Sequence, residues 1–437
     1  MSSLRILHVV PFFEGAWAYG GIPRAASAMA RGLARRGHHV TVCTTDACDS
    51  ARRLRADDGG PSLPGLDVRI FPNVSNHLAY HWQAFAPLGL RRFLRDAADA
   101  FDIAHLHACR NLPGVAAARA LGRAGVPYLL SPNGTAPAIE RRILAKRLFD
   151  AAVGRRIVAG ASRVLAVSQA EREQLMALGL SAHRVPVVPN PLDEQEFADV
   201  PEGSTFRRAH GLGSNPVVMF LGKLTPRKGV DVLLRAAALL ARTPVHLVVA
   251  GNDMGSGRSV DRLTRRLGLT RRVTRVGLLR GRERLEALAA ADVVVYPSRD
   301  EAFGLVPLEA LLCGTPVIVS NDSGCGEIVG MTGGGWIVPY GDPRILAQAI
   351  EEVLGAPGPW RLGAREAAER VRRLFGSDSV CEQLEGLYLD VLASRQSAVA
   401  VRQSQSAVSR RSPVAGRRST VTVGSQSAVL GRQSHDV

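Results

Sequence analysis

The sequence predicts an α/β protein of two doubly wound domains that face each other across a cleft, followed by a disordered tail. Its 437 residues exceed one compact domain and suffice for two. Short β-rich runs alternate with helical periodicity over most of the chain, the pattern of parallel sheets covered by helices on both faces. A proline-rich segment at residues 185–191 divides this pattern into halves and would fit poorly inside either core.

Each half contains its own series of predicted strands. Those of the first half are residues 4–10, 39–44, 68–71, 103–107, 126–130 and 163–167. Those of the second half are residues 217–221, 245–250, 273–276, 293–296 and 317–320. The helix after the first strand places Ile22, Ala26, Met29 and Leu33 on one face and stops at Gly37.

These elements set the predicted domain boundaries. We assign the first, acceptor-side domain to residues 1–187 and the second, donor-binding domain to residues 188–375. A helix at residues 376–394 is expected to return to the first domain. The remaining residues, 395–437, are rich in Arg, Ser, Gln, Val and Ala, and they repeat Gln-Ser-Ala-Val at 396, 405 and 426. Because this tail has no aromatic residue and no regular period, we expect it to be disordered.

The net charge of +16 is unevenly distributed. Residues 1–185 carry 24 Lys and Arg against 13 Asp and Glu, residues 186–394 carry 24 against 25, and the tail carries 7 against 1. A basic first half favours an anionic partner: a membrane lipid, a phosphorylated acceptor or a nucleic acid. An arginine-rich composition with solvated faces accounts for the same numbers equally well.

Several classes of protein are disfavoured. No apolar run approaches the roughly eighteen residues of a membrane span. The N-terminus lacks the charged lead, apolar block and cleavage site of a signal peptide. The six cysteines form no Cys-x-x-Cys pair, which argues against a disulfide framework and a zinc site. We therefore expect a cytoplasmic protein that reaches, at most, the inner face of the plasma membrane.

The segment with the most chemical information is residues 297–310, Pro-Ser-Arg-Asp-Glu-Ala-Phe-Gly-Leu-Val-Pro-Leu-Glu-Ala, followed at 313 by Cys-Gly-Thr-Pro-Val-Ile. It follows a predicted buried strand and begins a helix, so it lies at the carboxyl edge of a parallel sheet, where such sheets bind ligands. The backbone N–H groups of Gly304, Leu305 and Val306, next to Phe303, would face outward at the helix start. That arrangement suits a diphosphate.

The two glutamates of this segment, Glu301 and Glu309, are eight residues apart. Along a helix that gap is about 12 Å. Two carboxylates that serve one anomeric carbon in retaining hydrolases lie only about 5 Å apart. The spacing therefore favours one glutamate on the sugar and the other on the ribose of an extended donor, although either could be an ordinary surface charge.

A second segment, residues 220–229, reads Phe-Leu-Gly-Lys-Leu-Thr-Pro-Arg-Lys-Gly and leads from a strand into a helix. Of the 55 basic residues only Lys146, Lys223 and Lys228 are lysines, and two of them lie in this loop. A compact ammonium group at a strand end can neutralise the charge that develops on a leaving diphosphate. Chance clustering of two lysines is the alternative.

Two weaker signals lie in the first half. Gly20 and Gly21 follow the first strand, where glycine allows the backbone to approach a phosphate. The segment at 102–107, Asp-Ile-Ala-His-Leu-His, ends a strand, and we expect one of its two histidines, His105 or His107, to be buried and the other to face the cleft. A histidine at a strand end is more often structural than catalytic.

Taken together, these segments resemble family 4 of the retaining GT-B glycosyltransferases, whose fold is two Rossmann-like domains, across roughly residues 4–392. The likeness is greatest with bacterial enzymes of surface-polysaccharide assembly. Ser131-Pro132-Asn133-Gly134-Thr135, Ala166-Val167-Ser168 and the segment at 188–193, Val-Pro-Asn-Pro-Leu-Asp, also fit the family pattern.

The resemblance implies a role for each of these residues. Glu301 would contact the transferred sugar and Glu309 the ribose. Gly304 and Leu305 would hold the diphosphate together with Lys228 and Lys223, Gly21 would approach it from the first domain, and His107 would lie near the reacting sugar. The family usually has Arg where this chain has Lys223, which keeps the charge but loses the bidentate fork.

The implied reaction transfers a hexosyl group from a nucleotide sugar with retention of configuration, with no metal and no other cofactor. The chain contains no Asp-x-Asp pair that would chelate a donor diphosphate through a cation. No enzyme nucleophile is evident, so the resemblance favours same-face attack in which the departing phosphate takes the acceptor's proton.

The acceptor is expected at the basic first domain and is either lipid-linked or a saccharide. Residues 139–157 mix apolar and basic side chains, and a second basic cluster comprises Arg91, Arg92 and Arg95. The apolar residues of the first segment are Ile139, Ile143, Phe149, Val153 and Ile157, and the basic ones are Arg141, Arg142, Lys146, Arg147, Arg155 and Arg156. A lipid-linked acceptor at an anionic membrane would explain both segments. An amphipathic helix packed on its own sheet explains the first segment as well.

Two other classes of function stay open at this point. A different enzyme on the same architecture would be a sugar-nucleotide epimerase or a phosphorylase. The combination of Lys228, Glu301 and Glu309 speaks against the epimerase, and the absence of an obvious cofactor-lysine segment weakens the phosphorylase. A binder of nucleic acid or of an anionic surface would explain the charge, yet aromatic residues are only 5% of the chain, few for a stacking platform. We therefore expect no nucleic-acid partner.

Overall fold

Among the described residues, twelve parallel strands form two separate six-stranded sheets, one in each half of the chain. The computed structural model describes residues 3–55, 58, 60–139, 142–240, 245–322 and 324–410. Both sheets belong to one compact unit, residues 1–392. The predicted fold class of two doubly wound α/β domains is confirmed.

The first sheet has the strand order β3-β2-β1-β4-β5-β6. Its strands are β1 (Arg5–Val9), β2 (His39–Thr45), β3 (Leu66–Phe71), β4 (Ile103–His107), β5 (Tyr128–Ser131) and β6 (Arg163–Val164). Its helices are α1 (Gly21–Arg35), α2 (Asn76–Trp82), α3 (Leu90–Ala97), α4 (Leu112–Ala124), α5 (Ile143–Phe149), α6 (Arg155–Gly160) and α7 (Gln169–Ala177).

The second sheet has the order β12-β11-β10-β7-β8-β9. Its strands are β7 (Val217–Leu221), β8 (His246–Ala250), β9 (Val273–Gly277), β10 (Val293–Tyr296), β11 (Val317–Ser320) and β12 (Gly335–Val338). The helices are α8 (Ser204–Ala209), α9 (Val230–Leu239), α10 (Gly257–Arg266), α11 (Gly281–Ala290), α12 (Leu305–Leu312), α13 (Gly324–Thr332), α14 (Pro343–Gly355), α15 (Pro357–Phe375) and α16 (Ser377–Arg410).

The two sheets share one topology. Counted within its own half, each sheet runs 3-2-1-4-5-6, the order of a dinucleotide-binding fold. In this topology the chain reverses direction across the sheet between the first and fourth strands, and ligands bind at the carboxyl ends of that pair. The site-bearing strand pairs are therefore β1 with β4 and β7 with β10.

Local sequence explains why the site strands are central. β7 and β10 are continuous runs of apolar and aromatic residues that are buried on both faces, as the inner strands of a parallel sheet require. Helix starts are fixed by side-chain caps: Asn111 accepts from Gly114 N at α4, and Ser168 accepts from Glu171 N at α7.

Most predicted strands agree with the observed ones to within two residues. The exception is the predicted strand 163–167, of which only Arg163–Val164 is a regular strand. β12 was not predicted, because its glycine-rich, half-exposed sequence at the sheet edge resembles a turn.

Near residue 190 the chain passes from the first core to the second. The backbone N–H of Val188 donates to the Ala166 carbonyl, and the Val188 side chain packs in the first core. The Leu192 side chain packs in the second core. Cys381, Leu384 and Tyr388 of α16 are buried in the first core, so this helix packs with the first domain.

The tail differs from our expectation at its start. We expected disorder from residue 395, but α16 continues to Arg410. Residues 395–410 contain no proline or glycine and are compatible with a helix. The rest of the predicted tail, residues 411–437 with the third Gln-Ser-Ala-Val copy, lies outside the described residues. No helix in the described part of the chain is both long and apolar enough to cross a bilayer.

Candidate active site

The cleft between the sheets is lined by residues that follow the central strand pairs. Lys223 and Lys228 follow β7, and Glu301 follows β10, so the two predicted segments of the second half meet at its switch point. Gly21, which follows β1, lines the same cleft. The structure thus brings together nearly all predicted site residues from loops distant in the sequence.

Lys228, Tyr296 and Glu301 form a buried group at the end of β10. The Lys228 ammonium donates to the Tyr296 hydroxyl and to the Glu301 carboxylate. The Tyr296 hydroxyl in turn donates to Glu301 Oε2 at 3.3 Å. Burial alone would raise the pKa of Glu301, but Lys228 and Arg227 hold that pKa below its usual value. The group therefore presents an ionised carboxylate beside a fixed cation.

Helix α12 begins in the same part of the cleft. Gly304 is its N-cap, no side chain caps it, and Gly304, Leu305 and Val306 line the cleft next to Phe303. The first N–H groups of a helix carry partial positive charge and attract anions. Lys228 and the start of α12 thus supply positive charge to one region, which suits a diphosphate.

Gly304 occupies a backbone conformation that only glycine adopts easily, with φ of +91°. A Cβ there would also overlap Cys325 Sγ. We expect Gly304→Ala to lower the free energy of unfolding by about 2–4 kcal/mol through backbone strain and overpacking. We also expect it to weaken nucleotide binding, because the first turn of α12 would have to shift. Denaturant unfolding and a nucleotide titration would measure the two effects.

The matched control for that variant is Gly330→Ala on α13. A Cβ at Gly330 would lie 3.8 Å from Ile337 Cδ1, an ordinary contact. Alanine within a helix should leave stability unchanged or raise it by up to about 1 kcal/mol. Equal effects of the two substitutions would contradict the role assigned to Gly304.

Glu309 belongs to a second charged group, an ion-pair quartet of two arginines and two glutamates. Arg284 contacts both Glu309 and Glu196, the latter at 2.6 Å. Arg24 of α1 lies 3.3 Å from Glu196 and 3.9 Å from Glu309. The side chains of Arg284 and Glu309 are only 3% exposed, and Arg24, Arg284 and Glu309 all line the cleft. The quartet joins the two domains beside the predicted ribose position.

Three residues that line the cleft each have a buried polar atom without a partner among the described residues. Tyr19 Oη, Asn133 Oδ1 and Asn190 Oδ1 are buried and have no hydrogen-bond partner among the described residues. Buried polar atoms usually have a partner, so these three are available to a ligand rich in hydroxyl groups. Asn133 and Asn190 come from the two asparagine-containing segments identified in the sequence.

Gly20, Gly21 and Lys223 meet where the domains touch. Lys223 Nζ donates to the Tyr19 carbonyl across the cleft at 3.2 Å. A Cβ at Gly20 would lie 3.0 Å from Lys223 Cε, and one at Gly21 would lie 3.3 Å from Leu305 Cδ1. Glycine at both positions therefore lets the first domain approach Lys223 and the start of α12.

The expectation that His107 faces the cleft is wrong. His107 is 1% exposed and does not line the cleft, and its Nε2 is 3.2 Å from His8 Nδ1. The physical reason is the period of a strand: residues two apart point to the same face, so His105 and His107 are buried together. Their rings are stacked, with centroids 4.4 Å apart.

These histidines form a chain of hydrogen bonds with His8, Tyr388 and Ser131. Tyr388 Oη lies 2.8 Å from His105 Nδ1 and 3.5 Å from His8 Nε2, and His105 Nε2 lies 2.6 Å from Ser131 Oγ. Burial lowers the pKa of His107 to about 3 and lowers those of His8 and His105 well below their usual value. The three rings are therefore neutral near pH 7.

The same three histidines offer nitrogen atoms within 4.8 Å of one another, as a metal site would. Two observations oppose that role. The rings of His105 and His107 are nearly parallel, at 12°, so their lone pairs do not converge on one ion. Every ring nitrogen but His107 Nδ1 already has a hydrogen-bond partner. The cluster is better described as a buried neutral network.

This network predicts loss of stability in acid. As the pH falls through about 6.5, each histidine gains a proton only in the unfolded state, which costs up to about 1.4 kcal/mol per pH unit for each. Buried Glu171 acts in the opposite sense, because burial raises its pKa to about 7 and it holds a proton in the native state. These four groups together make stability rise with pH between roughly 4.5 and 6.5.

His107→Gln should lower the slope of the unfolding free energy against pH by about 1.4 kcal/mol per pH unit, which corresponds to one proton. Urea unfolding at several pH values measures that slope. His183→Asn, which changes an exposed histidine, is the control. An unchanged slope in His107→Gln would mean that this ring is protonated in the native state.

Sequence reasoning missed Tyr296, Arg24 and Arg284. Tyr296 ends an otherwise all-valine strand directly before the glutamate segment, and that position was the available signal. Arg24 lies three residues after Gly21, and Arg284 lies in α11, but nothing in their local sequence distinguishes them from the other arginines. Only their contacts with Glu309 do so.

Two Rossmann-type domains with a ligand site at the switch point between them define the GT-B class of glycosyltransferases. Residues 20–191 match the family model of the glycosyl transferase 4-like domain, and residues 204–371 match that of glycosyl transferases group 1. The D-inositol 3-phosphate glycosyltransferase of Acidothermus cellulolyticus is 31% identical over 424 residues, which cover 91% of both chains. The chain therefore belongs to the family 4 glycosyltransferases.

Other comparisons agree on the fold. The D-inositol 3-phosphate glycosyltransferase of Kineococcus radiotolerans is 29% identical, covering 90% of this chain and 96% of that one. Anabaena HepE, solved in complex with UDP and glucose, superposes with a TM-score of 0.70 at 22% identity, covering 89% of this chain and 100% of that one. WaaG, a glycosyltransferase of lipopolysaccharide biosynthesis, gives 0.62 at 17% identity, covering 88% and 99%.

These comparisons confirm the glycosyltransferase prediction over the epimerase and the non-enzymatic binder. They do not support the predicted likeness to enzymes of surface-polysaccharide assembly, since the relatives from Acidothermus and Kineococcus are both named for D-inositol 3-phosphate. The acceptor depends on a few side chains in variable loops, which the shared motifs do not include.

Proposed function

We propose that this protein transfers a hexosyl group from a nucleotide sugar to a hydroxyl of a small phosphorylated polyol, with retention of anomeric configuration and without a metal. The observation that carries the proposal is the buried group of Lys228, Tyr296 and Glu301 beside the uncapped start of α12. Three parts of the proposed donor, its ribose, its diphosphate and its sugar, each have matching chemistry in the cleft.

The diphosphate would be held by the start of α12 and by the two lysines. Because Lys228 is 7% exposed, its charge acts through little intervening water. In the reaction the bond between the anomeric carbon and the phosphate oxygen breaks as the acceptor oxygen attacks the same face. The departing phosphate takes the proton of the acceptor hydroxyl, so no protein base is required.

Glu301 would face the sugar, and Glu309 would accept from the ribose hydroxyls. The unpartnered oxygens of Asn133 and Asn190 would contact hydroxyl groups of the donor sugar or the acceptor. This division of roles uses the separation of the two glutamates, each of which lies in its own ion-paired group. Lys223 and Lys228, which line the cleft where the diphosphate is proposed to bind, support metal independence because they supply positive charge there.

The acceptor would lie against the first domain, on the wall formed by Asn133, Gly134 and Thr135. Arg110 holds the backbone next to these residues in place. Its guanidinium donates to the Ala136 carbonyl at 2.6 Å and forms an ion pair with Asp150 at 2.7 Å. Two features support a phosphorylated polyol, the excess of basic residues in the first domain and the D-inositol 3-phosphate in the relatives' names.

Thermal unfolding with UDP, GDP and ADP tests the donor site. One nucleotide, at about a hundred times its Kd, should stabilise the protein by about 2.7 kcal/mol. The rise in Tm should persist in EDTA and be at least halved in Lys228→Ala and Glu309→Ala. No response to any nucleotide, together with salt-sensitive binding to nucleic acid or anionic vesicles, would contradict the proposal and favour a binding protein.

Incubation with nucleotide sugars and D-inositol 3-phosphate tests the acceptor. Transfer should require the phosphate, so unphosphorylated inositol should be a poor acceptor. NMR of the product should show the anomeric configuration of the donor. A product of opposite configuration would rule out retention, and equal transfer to both inositols would rule out a phosphorylated acceptor.

A lipid-linked acceptor is the second candidate, and one surface favours it. Leu144 and Leu148 of α5 are 75% and 71% exposed, and Trp82 of α2 is 56% exposed. Arg142 stacks on Trp82 with its guanidinium 4.0 Å from the ring centroid. Basic and aromatic residues around exposed leucines suit an anionic membrane.

The structure changes which residues of segment 139–157 would contact lipid. The apolar residues expected to insert, Ile139, Ile143, Phe149, Val153 and Ile157, are half-buried apart from Ile143, and Arg141 lies outside the described residues. Leu144→Ser with Leu148→Ser should reduce sedimentation with anionic vesicles if this second candidate is right. Unchanged sedimentation would remove it.

A further inference from the structure

A basic groove lies between α3 and α4 and shares no lining residue with the active-site cleft. Its volume is about 510 Å³. Four arginines line it, two from each helix: Arg91, Arg95, Arg119 and Arg123. We call these four residues and the space between them the arginine groove.

The arrangement of charge in the arginine groove is unfavourable without a ligand. Arg91 and Arg95 are separated by one helical turn, as are Arg119 and Arg123, and like charges at that spacing destabilise a helix. Placing the two pairs on facing helices adds repulsion between them. The only acidic residue that lines the groove is Asp99.

The arginines are largely free to bind an anion. Among the described residues, Arg91, Arg119 and Arg123 make no ion pair or side-chain hydrogen bond, whereas Arg95 donates to Asp96 at 2.8 Å. All four are exposed. Their guanidinium groups therefore keep several donors for an incoming ligand.

The floor of the groove explains its depth. Ala116, Ala120 and Ala124 recur every fourth residue along α4 and line the groove. Alanine at each position leaves the space between the helices open, where larger apolar residues would fill it. The result is a recess with an apolar floor and a basic rim.

Guanidinium groups bind phosphate through paired, charge-assisted hydrogen bonds, and several around one recess suit a ligand with more than one negative charge. We propose that the arginine groove is a second anion site that binds a phosphate-bearing ligand outside the donor cleft. Two sources share this chemistry, the headgroup of an anionic phospholipid and a soluble polyphosphate.

The test compares three proteins: wild type, Arg119→Glu with Arg123→Glu, and a control with Arg262→Glu and Arg266→Glu. The control changes an exposed arginine pair at the same helical spacing on α10 of the second domain, so both variants have equal net charge. Inorganic tripolyphosphate is titrated by calorimetry. Vesicles of phosphatidylcholine with and without about 30% phosphatidylglycerol are used for sedimentation.

In the groove variant, binding of tripolyphosphate or of the anionic vesicles should weaken at least about tenfold, while the control should stay near wild type. Loss of tripolyphosphate binding identifies a soluble source, and loss of vesicle binding alone identifies a lipid headgroup. The cleft is the same in all three proteins, so binding there cancels in the comparison. Equal losses in both variants, or binding of neither probe by wild type, would overturn the proposal.

Discussion

Lys228→Ala is expected to reduce kcat by about 10²–10³-fold, because it removes the cation that we propose stabilises the charge developing on the leaving diphosphate. The substitution also leaves Glu301 buried without its cation. Loss of one partner of a buried ion pair costs about 3–5 kcal/mol, so the free energy of unfolding should fall as well. Turnover assays with donor in excess, and denaturant unfolding, measure the two effects separately.

Two further variants separate catalysis from stability. Lys228→Met combined with Glu301→Gln removes both charges and should be more stable than Lys228→Met alone, although equally inactive. Lys146→Ala makes the same change at the one lysine outside the site and should keep the wild-type response to nucleotide. Wild-type turnover in Lys228→Ala would show that the departing phosphate is stabilised by other groups.

Glu309→Ala is expected to raise the Kd of the nucleotide by about 10–100-fold, the value of one or two hydrogen bonds from ribose to a carboxylate. At a nucleotide concentration of about a hundred times the wild-type Kd, stabilisation should therefore fall from about 2.7 kcal/mol to about 0.4–1.4 kcal/mol. The substitution should also destabilise the fold by about 3–5 kcal/mol, because Arg284 and Arg24 lose a buried counter-charge. Nucleotide titration and denaturant unfolding would measure these losses.

The quartet allows the two roles of Glu309 to be distinguished. Glu309→Leu with Arg284→Met should recover part of the stability but none of the nucleotide binding. Glu352→Ala, on the exposed face of α14, is the matched control and should change neither quantity. A Glu309→Ala protein that responds to nucleotide like the wild type would remove this residue from the donor site.

The fold could be read from the sequence because its signals are local. The β-branched run at 293–296 is buried on both sides wherever it lies in a parallel sheet, and the glycine, proline and capping residues around it fix where the strand and α12 end and begin. The same local pattern placed Lys228, Glu301 and Gly304 at a sheet edge, and the structure brings them together there.

The mistaken and missing parts of the site have a different origin. His107 was assigned to the cleft although its spacing from His105 already placed both on one face, so that error was one of inference rather than of missing information. Arg24 could not be assigned, since its role depends on contacts with residues that are distant in the sequence. Tyr296 did have a local signal, its position at the end of the strand before the glutamate segment, which was not used.

The sequence by itself determined the two-domain architecture, the glycosyltransferase family and the segments that line the cleft, because strand and helix signals and short motifs depend on neighbouring residues. Only the tertiary structure decided the ion-pair quartet, the buried histidine network and the arginine groove. Each of these depends on which helices and strands become neighbours and which way their side chains point. That information arises only when distant segments pack together.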